Sequence, residues 1–299
     1  MEGDLCAVPG YAMAGLTVRV TGPPGLSLPD PGPTYAPFHL DEPPARPDIL
    51  VRVVPEPGPR RGKTTLLFSG GPAWSLYREN GGFILEFSPP EQEGPLWVAR
   101  ADAGFSSVDI FCRPREGRLA FHPLGYPGGQ LLLLHALARR GGVLVHAAGF
   151  AYKGRGFLFP GRSGAGKTTL ARLARGHGEL SAFTDDRGAV TAGPAGPVCH
   201  GTPWAGEAGV AKNVSLPLSG LLFLAHGQTP RLTRLKKGEA LRRLLPTASI
   251  PWYDPGGRDP ALGLCGSMSE NVPAWEFAFT PGEESLSALC SLLEEQCGG

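Results

Sequence analysis

Net charge is almost absent from this sequence. It has 28 lysines and arginines against 27 aspartates and glutamates, a formal charge of +1. No whole-molecule attraction to nucleic acid or acidic lipid is built in, although local basic patches remain open. Long apolar runs are also missing: the longest, around "LLLLHALA", is too short to span a bilayer. The opening "MEGDLCAVPG" lacks the basic start and apolar core of a secretory signal. Cysteines are few and scattered, at Cys6, Cys112, Cys199, Cys265, Cys290 and Cys297, with no C-x-x-C pair. Neither a zinc site nor a disulfide framework is suggested, and the cysteines read as small apolar residues of a reducing compartment. These absences predict a cytoplasmic protein with no membrane and no nucleic-acid partner. A homo-oligomer stays open.

What is abundant is glycine (44) and proline (32) in a chain of 299 residues, without a repeat period. That composition implies many turns rather than long helices. Residues 1 to 50 suit short strands and extended loops. Strand-like pieces follow at Ile49–Val54, Trp74–Glu79, Phe83–Phe87 and Val108–Cys112. Residues 1–125 therefore read as a small, mostly antiparallel β-rich domain, and residues 126–299 as a second domain. The first helix is expected in "GGQLLLLHALARRGG", with Arg139 and Arg140 in its last turn and Gly141 ending it. A hairpin follows: strand Val143–Tyr152, turn Lys153–Gly156, strand Phe157–Phe159. Further expectations are a strand "LSAFT", a strand at Leu221–Ala225, a helix near Gly238–Leu245, a strand at Trp275–Phe279, and a helix from Glu283 to Gln296 after Pro281.

The tetrapeptide GKTT occurs twice. A phosphate-binding loop needs G-x-x-x-x-G-K-[ST] between a strand and a helix. Its glycines let backbone amides turn inward, its lysine reaches the outer phosphates, and its hydroxyl ligates Mg²⁺. The first copy, Gly62–Thr65, fails. Pro57 stands where the first glycine is required, Pro59 removes a donor, and the following "TTLLFSGG" looks like a strand. The second copy passes. Gly161, Arg162, Ser163, Gly164, Ala165, Gly166, Lys167 and Thr168 match every fixed position, with a strand before and "LARLARGHG" as a helix after.

Asp185 and Asp186 follow Lys167 by eighteen and nineteen positions, at the end of the "LSAFT" strand. Two adjacent carboxylates can divide the work of metal binding and proton removal. The bland alternative is turn chemistry in "DDRG". His146 is either a packed, hydrogen-bonded strand residue or, through the hairpin, a neighbour of the phosphates. Arg187 could contact phosphate or pair with Asp186. "CHGTPWAGEAGVAKN" at Cys199–Asn213 suits an acceptor-binding loop, or an ordinary connection anchored by Trp204.

"VLVHAAG", "GRSGAGKTTLARL" and "LSAFTDDR" together resemble the catalytic domain of the HPr kinase/phosphorylase family and its kinase-like relatives. Those share a phosphate loop related to that of ATP-dependent phosphoenolpyruvate carboxykinase. The resemblance is clear over about residues 140–190, and "HGTPWAGE" and "PLSGLLFLAHG" look like the kinase-like relatives. It implies an α/β fold with a mixed, largely antiparallel sheet preceded by a small β-rich domain. It also implies that ATP is held by Gly161 through Thr169, and Mg²⁺ by Thr168 and Asp186. Asp185 would be the acid/base, with Lys167 and His146 at the phosphates. Two departures stand out. Thr169 replaces the acidic residue of the bifunctional enzymes, and their Gly-rich signature is absent. Both count against phosphorolysis and against HPr as substrate. The expected activity is transfer of the γ-phosphoryl group to a hydroxyl, a serine of a peptide or protein first and a small hydroxy compound second. A nucleotide-binding partner without turnover is the remaining alternative. The sequence does not separate ATP from GTP.

Overall fold

The computed structural model describes residues 6–58, 62–70, 73–89, 94–280 and 282–297. Pro59 in the first GKTT segment and Pro281 before the last helix lie outside the described residues. The chain divides into two compact units that are not contiguous in sequence. One comprises residues 1–12, 16–139 and 251–255, the other residues 13–15, 140–250 and 256–299.

Among the described residues of the first unit nine strands form one sheet: β1 (Cys6–Met13), β2 (Leu16–Gly22), β3 (His39–Leu40), β4 (Ile49–Val54), β5 (Thr65–Ser69), β6 (Trp74–Glu79), β7 (Gly82–Phe87), β8 (Trp97–Ala101) and β9 (Ser107–Cys112). The order is β3-β1-β2-β4-β9-β8-β7-β6-β5. β5 to β9 form an antiparallel meander, whereas β2–β4 and β4–β9 run parallel. The small antiparallel domain expected from the sequence is thus a larger, mixed sheet. Alternation sets its faces: Ile49, Val51 and Val53 of β4 are buried, and the residues between them are half-buried.

The compact units divide differently from the 1–125 and 126–299 expected from the sequence: helix α1 (Gly128–Arg139) belongs to the first unit. Its His135 ring stacks on Phe105 with centroids 4.6 Å apart, and its Nε2 lies 3.2 Å from the Tyr253 hydroxyl. Arg139 donates to Asp254 at 2.6 Å. These contacts also hold residues 251–255, from far along the chain, in this unit.

The second unit contains β10 (Val143–Tyr152), β11 (Arg155–Pro160), α2 (Lys167–Leu173), β12 (Leu180–Thr184), β13 (Arg187–Gly193), β14 (Gly196–His200), β15 (Ser215–His226), β16 (Arg231–Arg234), α3 (Lys237–Leu244), β17 (Ala248–Ser249), α4 (Pro255–Asn271), β18 (Ala274–Phe279) and α5 (Glu283–Cys297). β10 is the organiser. It pairs antiparallel with β11, β12, β13 and β17. β13, β14 and β15 continue antiparallel, and β11 returns parallel to β15, so the pairings β11-β10-β13-β14-β15-β11 close a ring. The unit is α/β with a mixed, largely antiparallel sheet. Eight of the ten residues of β10 are buried, which explains its nearly continuous apolar sequence. Phe150, Phe159, Phe277, Leu170, Leu289 and Leu293 join sheet and helices in one core.

α4 carries Pro260 and several glycines, residues of low helix propensity, so its local sequence disguises it. Pro255 starts it, where a missing N–H costs nothing. Ala261, Leu264, Cys265 and Met268 then bury one face at helical spacing. Among the described residues no helix is long and apolar enough to cross a membrane.

Three buried histidines give the fold a pH dependence. Burial pushes His122 and His135 in the first unit and His200 in the second down from 6.5 to about 4. Between those values the unfolded chain takes up protons that the folded one refuses. Stability is therefore full above 6.5 and falls as the pH drops toward 4, by on the order of 2 kcal/mol per histidine. Thermal melts at pH 7 and pH 5 should show a clearly lower Tm at pH 5. An unchanged Tm would mean that these rings are hydrated.

Candidate functional site

The site is built on the β10–β11 hairpin. Its turn is only Lys153–Gly154, both with positive φ (47° and 74°), as a two-residue primed turn requires. The Lys153 side chain pairs with Glu294 of α5. At the other end, β11 stops at Pro160, and residues 161–166 form the loop into α2. The Gly161 amide donates to the His146 carbonyl at 3.1 Å, fixing the loop to β10. Gly164 and Gly166 take positive φ of 82° and 93°, a conformation that side chains with a Cβ rarely adopt. Arg162, Ser163, Gly164 and Thr169 are exposed, while Ala165, Gly166 and Thr168 are half-buried. The first GKTT segment has no such setting. Gly62 donates to Glu79 at 2.9 Å, and Thr65 starts strand β5 rather than a helix.

Lys167 opens α2 and is 5% exposed. Its Nζ donates to the carbonyls of Gly161 (2.7 Å) and Arg162 (2.9 Å), so it folds back inside its own loop. Burial lowers its pKa and Arg187 adds to this, while Asp186 opposes it. Asp186 lies where β12 hands over to β13. Its Oδ1 is 3.0 Å from His146 Nε2, and its Oδ2 is 3.5 Å from Arg187 Nε. Burial alone would raise the Asp186 carboxyl. The hydrogen bond from His146 and the charges of Arg187, His146 and Lys167 outweigh it and hold the pKa below the ordinary carboxylate value. His146 and Arg187 are register partners across β10–β13, and the Ala147 amide donates to the Asp186 carbonyl at 3.0 Å. The tertiary fold therefore gathers Lys167, Asp186, His146 and Arg187 beside the glycine loop.

Asp185 points elsewhere. The sequence reading set it toward an acceptor hydroxyl, but its side chain is 2% exposed and accepts three backbone N–H bonds: Gly206 at 2.8 Å, Ala208 at 2.7 Å and Val210 at 3.2 Å. In this arrangement it is the peg on which residues 206–210 hang, and Asp186 is the carboxylate left facing the loop lysine. The approach is tight: a Cβ on Gly206 would stand 3.0 Å from Asp186 Cβ and 3.1 Å from Asp185 Oδ2. The segment is fastened further by the Lys212 amide on the Phe183 carbonyl (3.0 Å) and by Thr202, whose hydroxyl donates to the Arg187 carbonyl at 2.5 Å. Trp204 is buried, so the Cys199–Asn213 stretch does carry a tryptophan anchor, and its conformation is set by Asp185. The stretch stood out in sequence by composition alone. Nothing there tied its amides to a carboxylate some twenty residues upstream.

Asp185→Asn turns one acceptor oxygen into an NH₂ group facing N–H donors. It should cost about 1.5–3 kcal/mol, the worth of hydrogen bonds to a charged group. Hydrogen exchange should speed up at the amides of Gly206, Ala208 and Val210, with nucleotide binding kept. Unchanged protection at those amides would refute the peg.

Among the described residues no three His, Cys, Asp or Glu side chains converge as a ready-made metal cage. The hydroxyl after the loop lysine, Thr168, and one depressed carboxylate, Asp186, stand at the loop. That donor set fits Mg²⁺, which keeps waters and takes one or two protein oxygens besides phosphate.

No family model matches the chain, and no curated protein matches it in sequence. Among solved structures, the HPr(Ser) kinase/phosphatase from Coxiella burnetii is similar with 13% identity, over 51% of this chain and 89% of that one, at a TM-score of 0.31. A likeness of that degree carries no weight for function.

Proposed function

We propose that the second unit is a phosphotransferase, moving the γ-phosphoryl group of ATP in the presence of Mg²⁺ to a hydroxyl, with a serine of a peptide or protein as the first candidate acceptor. The observation that supports this most is the company the motif keeps. A complete G-x-x-x-x-G-K-T between strand and helix has a depressed carboxylate held by a histidine next to its lysine.

In this reading the amides of residues 161–168 cradle the phosphates, with Thr169 at the edge of the cradle. Lys167 exchanges the carbonyls of Gly161 and Arg162 for outer phosphate oxygens. Thr168 and Asp186 hold Mg²⁺, which when bound supplies positive charge against the phosphate oxygens. Asp186, oriented by His146, is also the carboxylate that can accept the proton of the incoming hydroxyl. Positioning and charge stabilisation supply most of the catalysis of phosphoryl transfer, so little base strength is asked of it. Asp185, assigned the base role in sequence, becomes a positioning residue for the 206–210 segment.

The test is transfer of label from γ-labelled ATP to a mixed pool of serine-containing peptides and free hydroxy compounds, with and without Mg²⁺. Label in an acceptor only with Mg²⁺ supports a kinase, and product mass separates peptide from small molecule. No transfer while nucleotide still binds would favour a non-catalytic partner.

A further inference from the structure

The first unit has a use of its own in a groove of about 1150 Å³ at one end of strands β7, β8 and β9. We infer that this groove binds an extended acidic peptide segment. Three arginines, Arg113, Arg115 and Arg118, line it, all exposed and without an ion-pair partner among the described residues. Among the described lining residues Glu86 is the acidic one against three arginines.

The backbone that carries Arg115 and Arg118 is fixed, while their side chains stay free to meet a partner. Arg115 and Arg118 exchange both backbone hydrogen bonds at 2.9 Å across the two-residue turn Glu116–Gly117, whose φ values are 49° and 74°. That turn is pinned in turn: Ser27 N donates to the Gly117 carbonyl at 2.8 Å, and Leu119 N to the Ser27 carbonyl at 3.0 Å. A turn fixed at four points loses little freedom when a partner binds.

Size and lining choose the occupant. The volume lies near the upper end of the ~300–1,000 Å³ usual for small-molecule pockets, roomy enough for a chain segment. Among the described residues the lining mixes arginine with the half-buried Phe111 and Leu96 and contains no lysine, a balance found at protein interfaces. Nucleic acid is disfavoured by the state of the tryptophan. Trp97 is 6% exposed and stacked on Phe87 with centroids 5.5 Å apart, so its face is not free for a base. An extended peptide can instead set carboxylates on the arginines and lay alternate apolar side chains on the floor.

The inference does not depend on the phosphotransferase reading, because it concerns the first unit and needs no nucleotide. The experiment uses the full chain without ATP. A fluorescein-labelled peptide of alternating glutamate and valine is titrated by anisotropy, beside its lysine-for-glutamate counterpart and a labelled single-stranded oligonucleotide. The expected result is saturable binding of the acidic peptide alone, weakened by salt. Arg113→Glu with Arg115→Glu and Arg118→Glu should weaken it about tenfold or more, with Tm unchanged because these side chains are exposed. A second variant, Arg113→Gln with Arg118→Gln, should weaken it less. Equal binding by wild type and the triple variant, no binding of the acidic peptide, equal binding of the lysine peptide, or tighter binding of the oligonucleotide would each overturn the inference. Phosphoryl transfer by the triple variant reads the second unit separately.

Discussion

Lys167→Ala is expected to abolish phosphoryl transfer, lowering the rate by about 10³-fold or more, and to weaken ATP binding by about tenfold. The ammonium is the one cation fixed inside the glycine loop, 2.7 and 2.9 Å from two of its carbonyls. Without it, the remaining cation of the loop, Arg162, is exposed at its rim rather than held inside it. Stability should move differently. Lys167 is 5% exposed, and burial already pushes its pKa down, so removing it relieves a desolvation cost. A Tm equal to or above that of wild type, together with lost transfer, would mark Lys167 as functional rather than structural. Near-normal transfer would sink the phosphate-loop assignment. A collapsed Tm would instead mean that the lysine mainly holds the loop together.

Asp186→Asn should lower transfer by about 10²–10⁴-fold while nucleotide binding without Mg²⁺ is kept. The substitution keeps the size of the side chain and its contact with His146 but removes the charge that Thr168 alone cannot replace at the metal. It separates the two carboxylates cleanly. Asp185→Asn should act first on stability and on the 206–210 amides, Asp186→Asn first on the rate. If Asp185→Asn abolished transfer with those amides still protected, Asp185 would be the base. The acid side of the rate profile follows from the same charges. Asp186 stays ionised below the ordinary carboxylate value, whereas the buried histidines destabilise the fold from 6.5 downward. Activity on the acid side should therefore track the folded fraction and show no separate step for Asp186. A step in a range where circular dichroism is unchanged would contradict this.

The loop motif at 161–168 was complete in sequence, because a phosphate loop is contiguous and its requirements are local: glycines at fixed spacings, one lysine, one hydroxyl, a strand before and a helix after. For the same reason the first GKTT could be set aside on Pro57 alone. The hairpin at 143–160 and the helix at the end of the chain were also local, carried by apolar runs and turn residues. What sequence could not assign was which of two adjacent aspartates faces the loop. Asp185 and Asp186 differ by one position at the end of a strand, so their side chains leave in different directions. The choice depends on partners far away in the chain, His146 on β10 and the amides of Gly206, Ala208 and Val210. The domain limit moved for a similar reason: the Asp254 carboxylate lies more than a hundred residues from the two arginines that bind it, Arg78 and Arg139. α4 was hidden because its glycines and Pro260 are penalties read locally, while the burial of Ala261, Leu264, Cys265 and Met268 that offsets them exists only once the sheet is assembled. The sequence by itself determined the chemistry on offer, a loop, a lysine and two carboxylates. The tertiary structure decided that the Asp185 carboxylate is consumed in holding residues 206–210, which leaves Asp186 with His146 beside the loop.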